Sequence, residues 1–169
     1  MEQYNACDAH KKYSIFGGIL ENGKRLRHVR VEHGREEYGS FLRTLPTGSS
    51  IALESMGSWY WMVDEIEKAG HQAVLVHPRK AKMMMGQINK TDKLDVDGLA
   101  TLARNGTLPK VWVAPSEIRD QRELPRMRMA LVGIRTKLKN RIHATLAKYN
   151  IQIEEVSDVS LYEEKKHKA

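Results

Sequence analysis

The sequence contains little cysteine and no long apolar run. Cys7 is the single cysteine among 169 residues, so no disulfide can form within the chain, and a reducing cytoplasm is the simplest location. No apolar stretch approaches the roughly 20 residues that a transmembrane helix needs. Residues 1–4 have neither the basic start nor the apolar stretch of a signal peptide. These absences argue against a disulfide-stapled secreted scaffold and against a membrane-spanning protein.

Two common kinds of binding site are also missing. No glycine-rich phosphate loop is present: Gly17 and Gly18 lie inside a strand-like segment, where they indicate a bulge or close packing. The Met83-Met84-Met85 run is more typical of flexible packing than of a ligand set. Five histidines have no metal-ligand spacing; these are His10, His28, His33, His71 and His77. The sequence therefore indicates neither a nucleotide loop nor a histidine-based zinc site.

Positive charge is concentrated in one segment. The net charge is +7, and residues 119–148 contain nine basic and two acidic residues, so this segment accounts for an excess as large as that of the whole chain. Such a concentration favours a polyanion as partner. A solvated helix face explains the charge alone equally well. The hydrophobic content of 41% is enough for the core of one domain.

The spacing of apolar residues predicts an α/β fold with a mixed sheet. Period-two patterns predict strands, and Asn22-Gly23 is a strong hairpin signal. The predicted strands are 4–8, 13–20, 25–32, 50–54 and 73–76, and the predicted helices between them are 35–45 and 59–69. A strand, a helix and a strand in succession imply a parallel crossover. An antiparallel meander followed by such a unit is typical of a ribonuclease H-like sheet with flanking helices.

The second half of the sequence predicts a loop, a helix and a long basic arm. The segment after Pro78 is basic and loop-like, a helix follows from Asp92, and residues 108–113 could form one more strand. Pro125 is expected to break or kink the helix that begins near Glu117. Apolar residues three or four apart then predict a long amphipathic helix that needs a partner; they are Met127, Leu131, Ile134, Leu138, Ile142 and Leu146. The predicted division is an α/β domain over 1–115, a helical arm over 116–150 and a polar tail over 151–169.

Four carboxylates occupy positions from which they can converge. Asp8 and Glu54 each end a predicted strand, and such ends can be neighbours in a mixed sheet. Asp92 and Asp95 are three residues apart and share one face of a helix start, whereas Asp97 falls on another face. Converging carboxylates repel each other, and Mg²⁺, which prefers oxygen ligands, relieves that repulsion. Two such ions can activate a water or hydroxyl and stabilise the leaving oxygen in phosphodiester cleavage.

Each carboxylate also has a structural interpretation. An aspartate at a strand end, such as Asp8, is commonly a turn residue. Glu54 can shape the turn that follows it, and Asp92 is a suitable N-cap for its helix. Taken singly, none of these residues identifies a site.

Taken together, several segments resemble one protein family over about residues 4–150. They are Asp8-Ala9-His10-Lys11, residues 53–60, residues 69–80, Lys90-Thr91-Asp92-Lys93-Leu94-Asp95 with Leu99-Ala100, and residues 135–146. The Lys-Thr-Asp-x-x-Asp element at 90–95 is the most distinctive. The family is the DEDD-type insertion-sequence transposases, relatives of the pilin-gene invertase Piv, whose N-terminal domain is RuvC-like.

The resemblance implies roles for named residues. The family's four catalytic, metal-binding acids match Asp8, Glu54, Asp92 and Asp95, which would hold Mg²⁺ or Mn²⁺, with two ions expected. The implied activity is metal-dependent DNA strand exchange by an oligomer, and some members are guided by a structured RNA. The residues expected to contact nucleic acid are Lys11, Arg79, Lys80, Lys90, Arg135, Lys139 and Arg141.

The sequence departs from the family pattern in two places. The nucleophilic serine of the family lies in a separate C-terminal domain that has no counterpart here, so we expect a truncated copy or fragment that associates and binds DNA without recombining it. Asn5-Ala6-Cys7 precedes Asp8, where a glycine and an aliphatic residue are more usual. Two other functions stay open: an autonomous RuvC-like structure-specific nuclease, and a non-catalytic nucleic-acid-binding or dimerisation remnant.

Overall fold

Five strands and five helices form the part of the chain that the computed structural model describes, which is residues 2–55, 57–86 and 91–152. The strands are β1 (Gln3–Ala9), β2 (Tyr13–Leu20), β3 (Val29–Glu32), β4 (Ser50–Glu54) and β5 (Gln72–Val76). The helices are α1 (Arg35–Leu42), α2 (Trp59–Lys68), α3 (Pro78–Met85), α4 (Asp92–Arg104) and α5 (Ser116–Lys148). The chain divides into two compact units, Met1–Val113 and Ala114–Ala169.

The strands of the first unit form a single mixed sheet in the order β3-β2-β1-β4-β5. β2 pairs antiparallel with both β1 and β3, which gives the meander predicted from the alternating pattern and the Asn22-Gly23 turn. β4 lies parallel to β1 and to β5, as the strand–helix–strand pattern predicts. The predicted α/β fold with a mixed sheet and flanking helices is therefore confirmed.

Successive residues of β1 point to opposite faces of the sheet, and each face carries its own core. Cys7 packs with Tyr38 of α1 and Met62 of α2 on one face. Ala6 packs with Ala81 of α3 and Val96 of α4 on the other. All six are buried. The sheet is thus covered by α1 and α2 on one side and by α3 and α4 on the other.

The two adjacent glycines of β2 allow close packing on both sides of the strand. A β-carbon at Gly17 would lie 2.8 Å from Cγ1 of Val96 and 2.9 Å from Cδ2 of His28. One at Gly18 would lie 2.8 Å from the backbone oxygen of Tyr4. The pairing register runs through both glycines without a bulge. Of the two interpretations of this pair, close packing is correct, and it lets α4 approach the sheet.

The segment after Pro78 is a helix, and the prediction of a loop there was wrong. Pro78 occupies the first turn of α3, where its missing N–H costs nothing. The His77 ring caps this end by accepting a hydrogen bond from the Lys80 backbone N–H at 3.4 Å. Gly86, with a φ of 59°, ends the helix in the left-handed conformation. Basic residues and methionines are good helix formers, so the positive charge of this segment did not indicate a loop.

Residues 108–113 contribute one bridge to the sheet and no strand, contrary to the prediction. Val76 and Lys110 form that bridge, and the Val111 N–H donates to Leu75 O at 2.8 Å. Pro109 has no N–H to donate, and the Lys110 N–H bonds to Leu108 O in a tight local turn. Both features prevent a continuous ladder.

The second unit contains one uninterrupted helix of 33 residues, α5, in which Pro125 is an interior residue. Of the break or kink predicted at Pro125, the break is wrong, because the residues around the proline are strong helix formers that continue the helix on both sides. Large apolar side chains along α5 are exposed, including Leu131 at 56% and Leu138 at 61%. Among the described residues, no helix combines the length and apolar character that crossing a bilayer requires.

Candidate active site

Asp8 and Glu54 leave the same edge of the sheet from neighbouring strands. Cys7 of β1 and Leu53 of β4 are register partners in the parallel pair. Asp8 and Glu54 are the next residues along each strand, so the parallel direction brings both to one edge. Buried apolar residues precede each acid and fix the strands in this register.

Helix α4 contributes the other two acids from its first turn, which contains Asp92 and Asp95. The N-cap is Thr91, whose Oγ1 accepts a hydrogen bond from the Leu94 N–H at 3.3 Å. The capping role that Asp92 could have filled therefore belongs to its neighbour. Carboxylates in a first turn also interact favourably with the helix dipole.

All four acids line one cavity of about 460 Å³ between the sheet edge, α3 and α4. The residues that line it are Asp8, Ala9, His10, Glu54, Pro78, Arg79, Lys82, Met85, Asp92 and Asp95. The two acids at strand ends and the two acids three residues apart on α4 therefore line the same cavity. The metal-binding and catalytic roles of these acids stay predictions.

Asp97 has a different environment from the four acids of the cavity. Its carboxylate contacts His28 Nε2 at 2.8 Å and Arg25 Nη1 at 3.1 Å, and its side chain is 9% exposed. These contacts tie α4 to the segment that leads into β3. Asp97 therefore holds the helix that contributes Asp92 and Asp95 against the sheet.

His10 lies between two of the acids, and the histidine spacing of the sequence did not predict this. Its Nε2 atom is 3.1 Å from Asp8 Oδ2 and 3.1 Å from Asp92 Oδ2. The nitrogen is buried, yet it makes no hydrogen bond of good geometry with any residue that the structure describes. A signal was present in the sequence: residues two apart in an extended segment, such as Asp8 and His10, project to the same side.

The ring of His10 is also held by Tyr13. The His10 backbone N–H donates to Tyr13 O at 2.9 Å across the β1–β2 turn. The two rings stack with centroids 4.5 Å apart and an interplanar angle of 24°. The Arg30 guanidinium carbon lies 3.6 Å from the centroid of the Tyr13 ring, a cation–π contact that fixes Tyr13 in turn.

The chemistry of this donor set fits a divalent cation. Asp8, His10 and Asp92 each offer a ligand atom, and these three atoms all lie within 4.8 Å of one another. Carboxylate oxygens are the donors that Mg²⁺ and Mn²⁺ take most readily. The buried His10 nitrogen has no well-directed hydrogen bond to any described residue. It is therefore available to bind a cation together with the acids. A candidate acidic metal site therefore exists in the first unit.

Two basic residues line the same cavity from α3. Arg79 was predicted to contact nucleic acid and Lys82 was not; the two are three residues apart on α3 and share one face of it. Lys11 and Lys80 are exposed, and Lys90 lies outside the described residues. In the second unit Arg135 and Arg141 are exposed and Lys139 is partly exposed on α5.

Cys7, directly before Asp8, takes no part in the cavity. It is fully buried on the α1–α2 side of the sheet. Burial raises the pKa of its thiol to about 12, because an apolar surrounding disfavours the thiolate. This cysteine is a core residue and not a nucleophile.

Comparisons with known proteins agree with the resemblance carried by the motifs. A family model described as Transposase, of the IS110-type DEDD class, matches residues 6–151. The chain is 27% identical over 125 residues to the transposase for insertion sequence element IS1328 of Yersinia enterocolitica, covering 74% of this chain and 37% of the relative. It is 27% identical over 129 residues to a probable family 20 transposase of Pseudomonas aeruginosa strain PAO1, covering 75% of this chain and 38% of the relative.

A solved structure of T. thermophilus RuvC in complex with a Holliday junction substrate also aligns with this protein. The alignment covers 66% of this chain and 100% of that chain, with a TM-score of 0.46 and 10% identity. The chain spans less than two fifths of the length of the curated relatives that it matches. Because the family model covers most of the sequence, the chain belongs to the IS110-type family of DEDD transposases.

Proposed function

We propose that this chain contributes the acidic, metal-binding part of a DNA transposase that carries out metal-dependent strand exchange. One observation carries the proposal: in a chain of a transposase family, four carboxylates from two strands and a helix line a single cavity. Carboxylates gathered in this way repel one another unless cations are bound. An ordinary structural role, such as a turn or a cap, does not explain why all four face the same space.

We assign the metal-binding role to Asp8, Glu54, Asp92 and Asp95, which would hold two Mg²⁺ or Mn²⁺ ions. When bound, such ions supply Lewis-acid activation of an attacking hydroxyl or water and stabilise the leaving oxygen of a phosphodiester. The protein's own contribution is to fix the carboxylates on rigid elements. Asp97, through Arg25 and His28, supports this by holding α4 against the sheet.

Arg79 and Lys82 would bind the phosphate that undergoes reaction. Both line the cavity from α3, beside the acids. A guanidinium can donate two parallel hydrogen bonds to a phosphate, whereas an ammonium acts as a point charge. Two cations beside the metal site therefore orient a phosphodiester and offset its charge. Lys11, Lys80 and Lys90 would extend this contact along the backbone.

The helix of the second unit would bind nucleic acid and a second copy of the chain. Its cations, among them Arg135, Lys139 and Arg141, suit phosphate contacts that do not depend on sequence. DNA is the partner that we propose first, and a structured RNA has the same backbone chemistry. Its exposed apolar residues suit association, most simply as a two-fold homodimer.

Iron-directed cleavage of bound DNA tests this function without requiring turnover. Fe²⁺ loaded in place of Mg²⁺ reduces added hydrogen peroxide to a hydroxyl radical and hydroxide, and ascorbate returns the resulting Fe³⁺ to Fe²⁺. The radicals cut DNA only close to the ion. We expect a few localised cuts in a duplex bound by the wild-type chain. These cuts should be lost when the duplex is bound by the double variant Asp8→Asn, Asp95→Asn. Asp120→Asn, the same change on the exposed surface of α5, is the matched control and should keep them. Identical cuts in the double variant would refute the assignment of the acids.

Plasmid nicking and DNA binding, measured beside the iron-directed cuts, separate the alternative functions. Nicking of supercoiled plasmid by this chain with Mn²⁺ alone, abolished by Asp95→Asn, would support an autonomous nuclease. DNA binding with neither iron-directed cuts nor nicking would support a non-catalytic module. Localised iron cuts that the acid-to-amide variants lose are the outcome expected from the proposed metal site.

A further inference from the structure

We propose that His10 is a nitrogen ligand of the ion held by Asp8 and Asp92, and that it makes this position prefer a Mn²⁺-type ion over Mg²⁺. The inference rests on the metal site of the proposed function and adds to it a residue and a selectivity. Its basis is the position of the His10 ring, whose Nε2 approaches both carboxylates from the β1–β2 turn.

The distances match those between ligands of one ion. In an octahedral site with metal–ligand distances near 2.1 Å, neighbouring ligand atoms are about 3.0 Å apart. His10 Nε2 lies 3.1 Å from an oxygen of Asp8 and 3.1 Å from an oxygen of Asp92. All three donor atoms fall within 4.8 Å of one another. The atoms are therefore spaced like ligands that share a cation.

Hydrogen bonding does not account for this position of the nitrogen. A histidine that served only to bridge two carboxylates would direct an N–H at one of them. The buried Nε2 of His10 has no hydrogen bond of good geometry to any described residue, although both oxygens are close. A bound ion would satisfy the nitrogen and neutralise both acids together.

The ring is oriented independently of the carboxylates. Stacking on Tyr13, with centroids 4.5 Å apart, and the backbone hydrogen bond to Tyr13 O fix the plane and the position of the imidazole. Arg30 holds the ring of Tyr13 from within β3. A ligand held in its binding orientation before the ion arrives loses little freedom on binding.

A nitrogen donor changes which ion the site prefers. Mg²⁺ is a hard cation that takes oxygen ligands and retains its waters. Imidazole nitrogen is softer and binds first-row transition ions, whose affinities rise from Mn²⁺ onward. Four carboxylates alone would accept either ion. With His10 as a ligand, the position beside Asp8 and Asp92 binds Mn²⁺ more tightly, whereas its affinity for Mg²⁺ increases little.

Electron spin-echo spectroscopy of bound Mn²⁺ tests the ligand directly. Coupling to a nitrogen nucleus modulates the echo when imidazole is coordinated, and carboxylates produce no such modulation. We expect the modulation in the full wild-type chain, its loss in His10→Gln, and its retention in His143→Gln. His143 is an exposed histidine on α5, so its variant is the matched control.

Calorimetric titration measures the selectivity. His10→Gln should weaken Mn²⁺ binding by at least about 10-fold, as removal of groups at metal sites does, while Mg²⁺ affinity changes by less than about 3-fold. An equal loss for both ions would overturn the selectivity.

The possible failures are distinguishable. Mn²⁺ bound to the wild-type chain without nitrogen modulation would overturn the role of His10 and leave the acidic site of the proposed function intact. A wild-type chain that binds neither ion would overturn both. The wild-type spectrum alone decides between these outcomes, so the inference stays testable even if His10→Gln folds poorly.

Discussion

Cys7 and Leu53 are register partners in two parallel strands, and this one pairing brings Asp8 and Glu54 to the same edge of the sheet. A slip of one residue between β1 and β4 would turn every side chain of one strand to the opposite face. The buried apolar residues on both faces prevent that slip. The core of the first unit therefore determines which carboxylates meet.

Divalent cations should stabilise the folded chain through the four acids. An ion that binds only the folded state adds stability by mass action, about 2.7 kcal/mol at a concentration 100 times its dissociation constant. We expect millimolar Mg²⁺ or Mn²⁺ to raise the melting temperature, and Asp8→Asn with Asp95→Asn to reduce that rise. Asp120→Asn should leave it unchanged. An unaltered rise in the double variant, measured by scanning calorimetry, would mean that the ions bind elsewhere.

The strands and the acids could be predicted because their signals are local. Alternation and the Asn22-Gly23 turn give the meander, and an acid that follows an apolar strand lies at a sheet edge wherever that strand pairs. The two-residue spacing of Asp8 and His10 could have placed these two side chains together, but no local signal brings His10 to Asp92, which comes from a different segment. Its contact with Asp92 depends on how α4 packs, and the close approach of Val96 of α4 to the sheet requires the absence of a side chain at Gly17.

The predictions of helix boundaries were wrong at prolines, because a proline can either begin a helix or end one. Pro78 ends a strand and also begins a helix, and the basic residues after it were interpreted as a loop although they favour helix. Pro125 was expected to break or kink its helix, and α5 continues through it without a break. A proline inside a helix costs about 3 kcal/mol, and the residues on both sides of Pro125, from Arg122 to Leu131, are mostly good helix formers that favour continuation. In both cases the residues around the proline determined the outcome.

Gly17→Ala should destabilise the first unit. The added methyl group would meet Val96 and His28 at less than 3 Å, and such overpacking costs about 1–3 kcal/mol. Gly133→Ala on α5 is the matched control, because its methyl group meets no described atom within 4 Å. Removing a helical glycine should stabilise α5 by up to about 1 kcal/mol. Urea unfolding followed by the tryptophan fluorescence of the first unit should give a lower midpoint for Gly17→Ala than for Gly133→Ala, and equal midpoints would contradict the packing argument.

Stability should decrease as the pH falls below about 6.5, the ordinary pKa of histidine, in part because of His33. Burial lowers the pKa of this imidazole, so the unfolded chain takes up a proton at a higher pH than the folded chain does. The stabilisation is complete above the ordinary histidine pKa and is lost as the pH falls through the lowered one. His33→Gln, which can keep a hydrogen bond to Ser14 Oγ, should reduce the difference in urea midpoint between pH 7.5 and pH 5. An unchanged difference would assign the dependence to other groups.

DNA binding should weaken steeply with salt. If the cations of α5 contact phosphates, the logarithm of the affinity falls with the logarithm of the salt concentration, by about 0.9 per phosphate contacted on duplex DNA. Replacing Arg135, Lys139 and Arg141 by Ala should therefore lower the slope by up to about 2.7. Fluorescence anisotropy with two unrelated duplexes measures this. Binding that does not respond to salt, or that differs strongly between the duplexes, would contradict backbone contact.

The exposed apolar residues of α5 should mediate association of two copies. Leu131 and Leu138 are 56% and 61% exposed, and they are seven residues apart, two helical turns along the same face. An isolated helix gains little stability in water, so this face is expected to be buried against a partner helix. Leu131→Asp with Leu138→Asp should shift sedimentation from dimer to monomer at micromolar concentrations, while the circular dichroism of the first unit is kept. Asn140→Asp adds the same charge to α5 at a polar position and should leave the dimer intact. A wild-type chain that sediments as a monomer at all concentrations would refute the prediction.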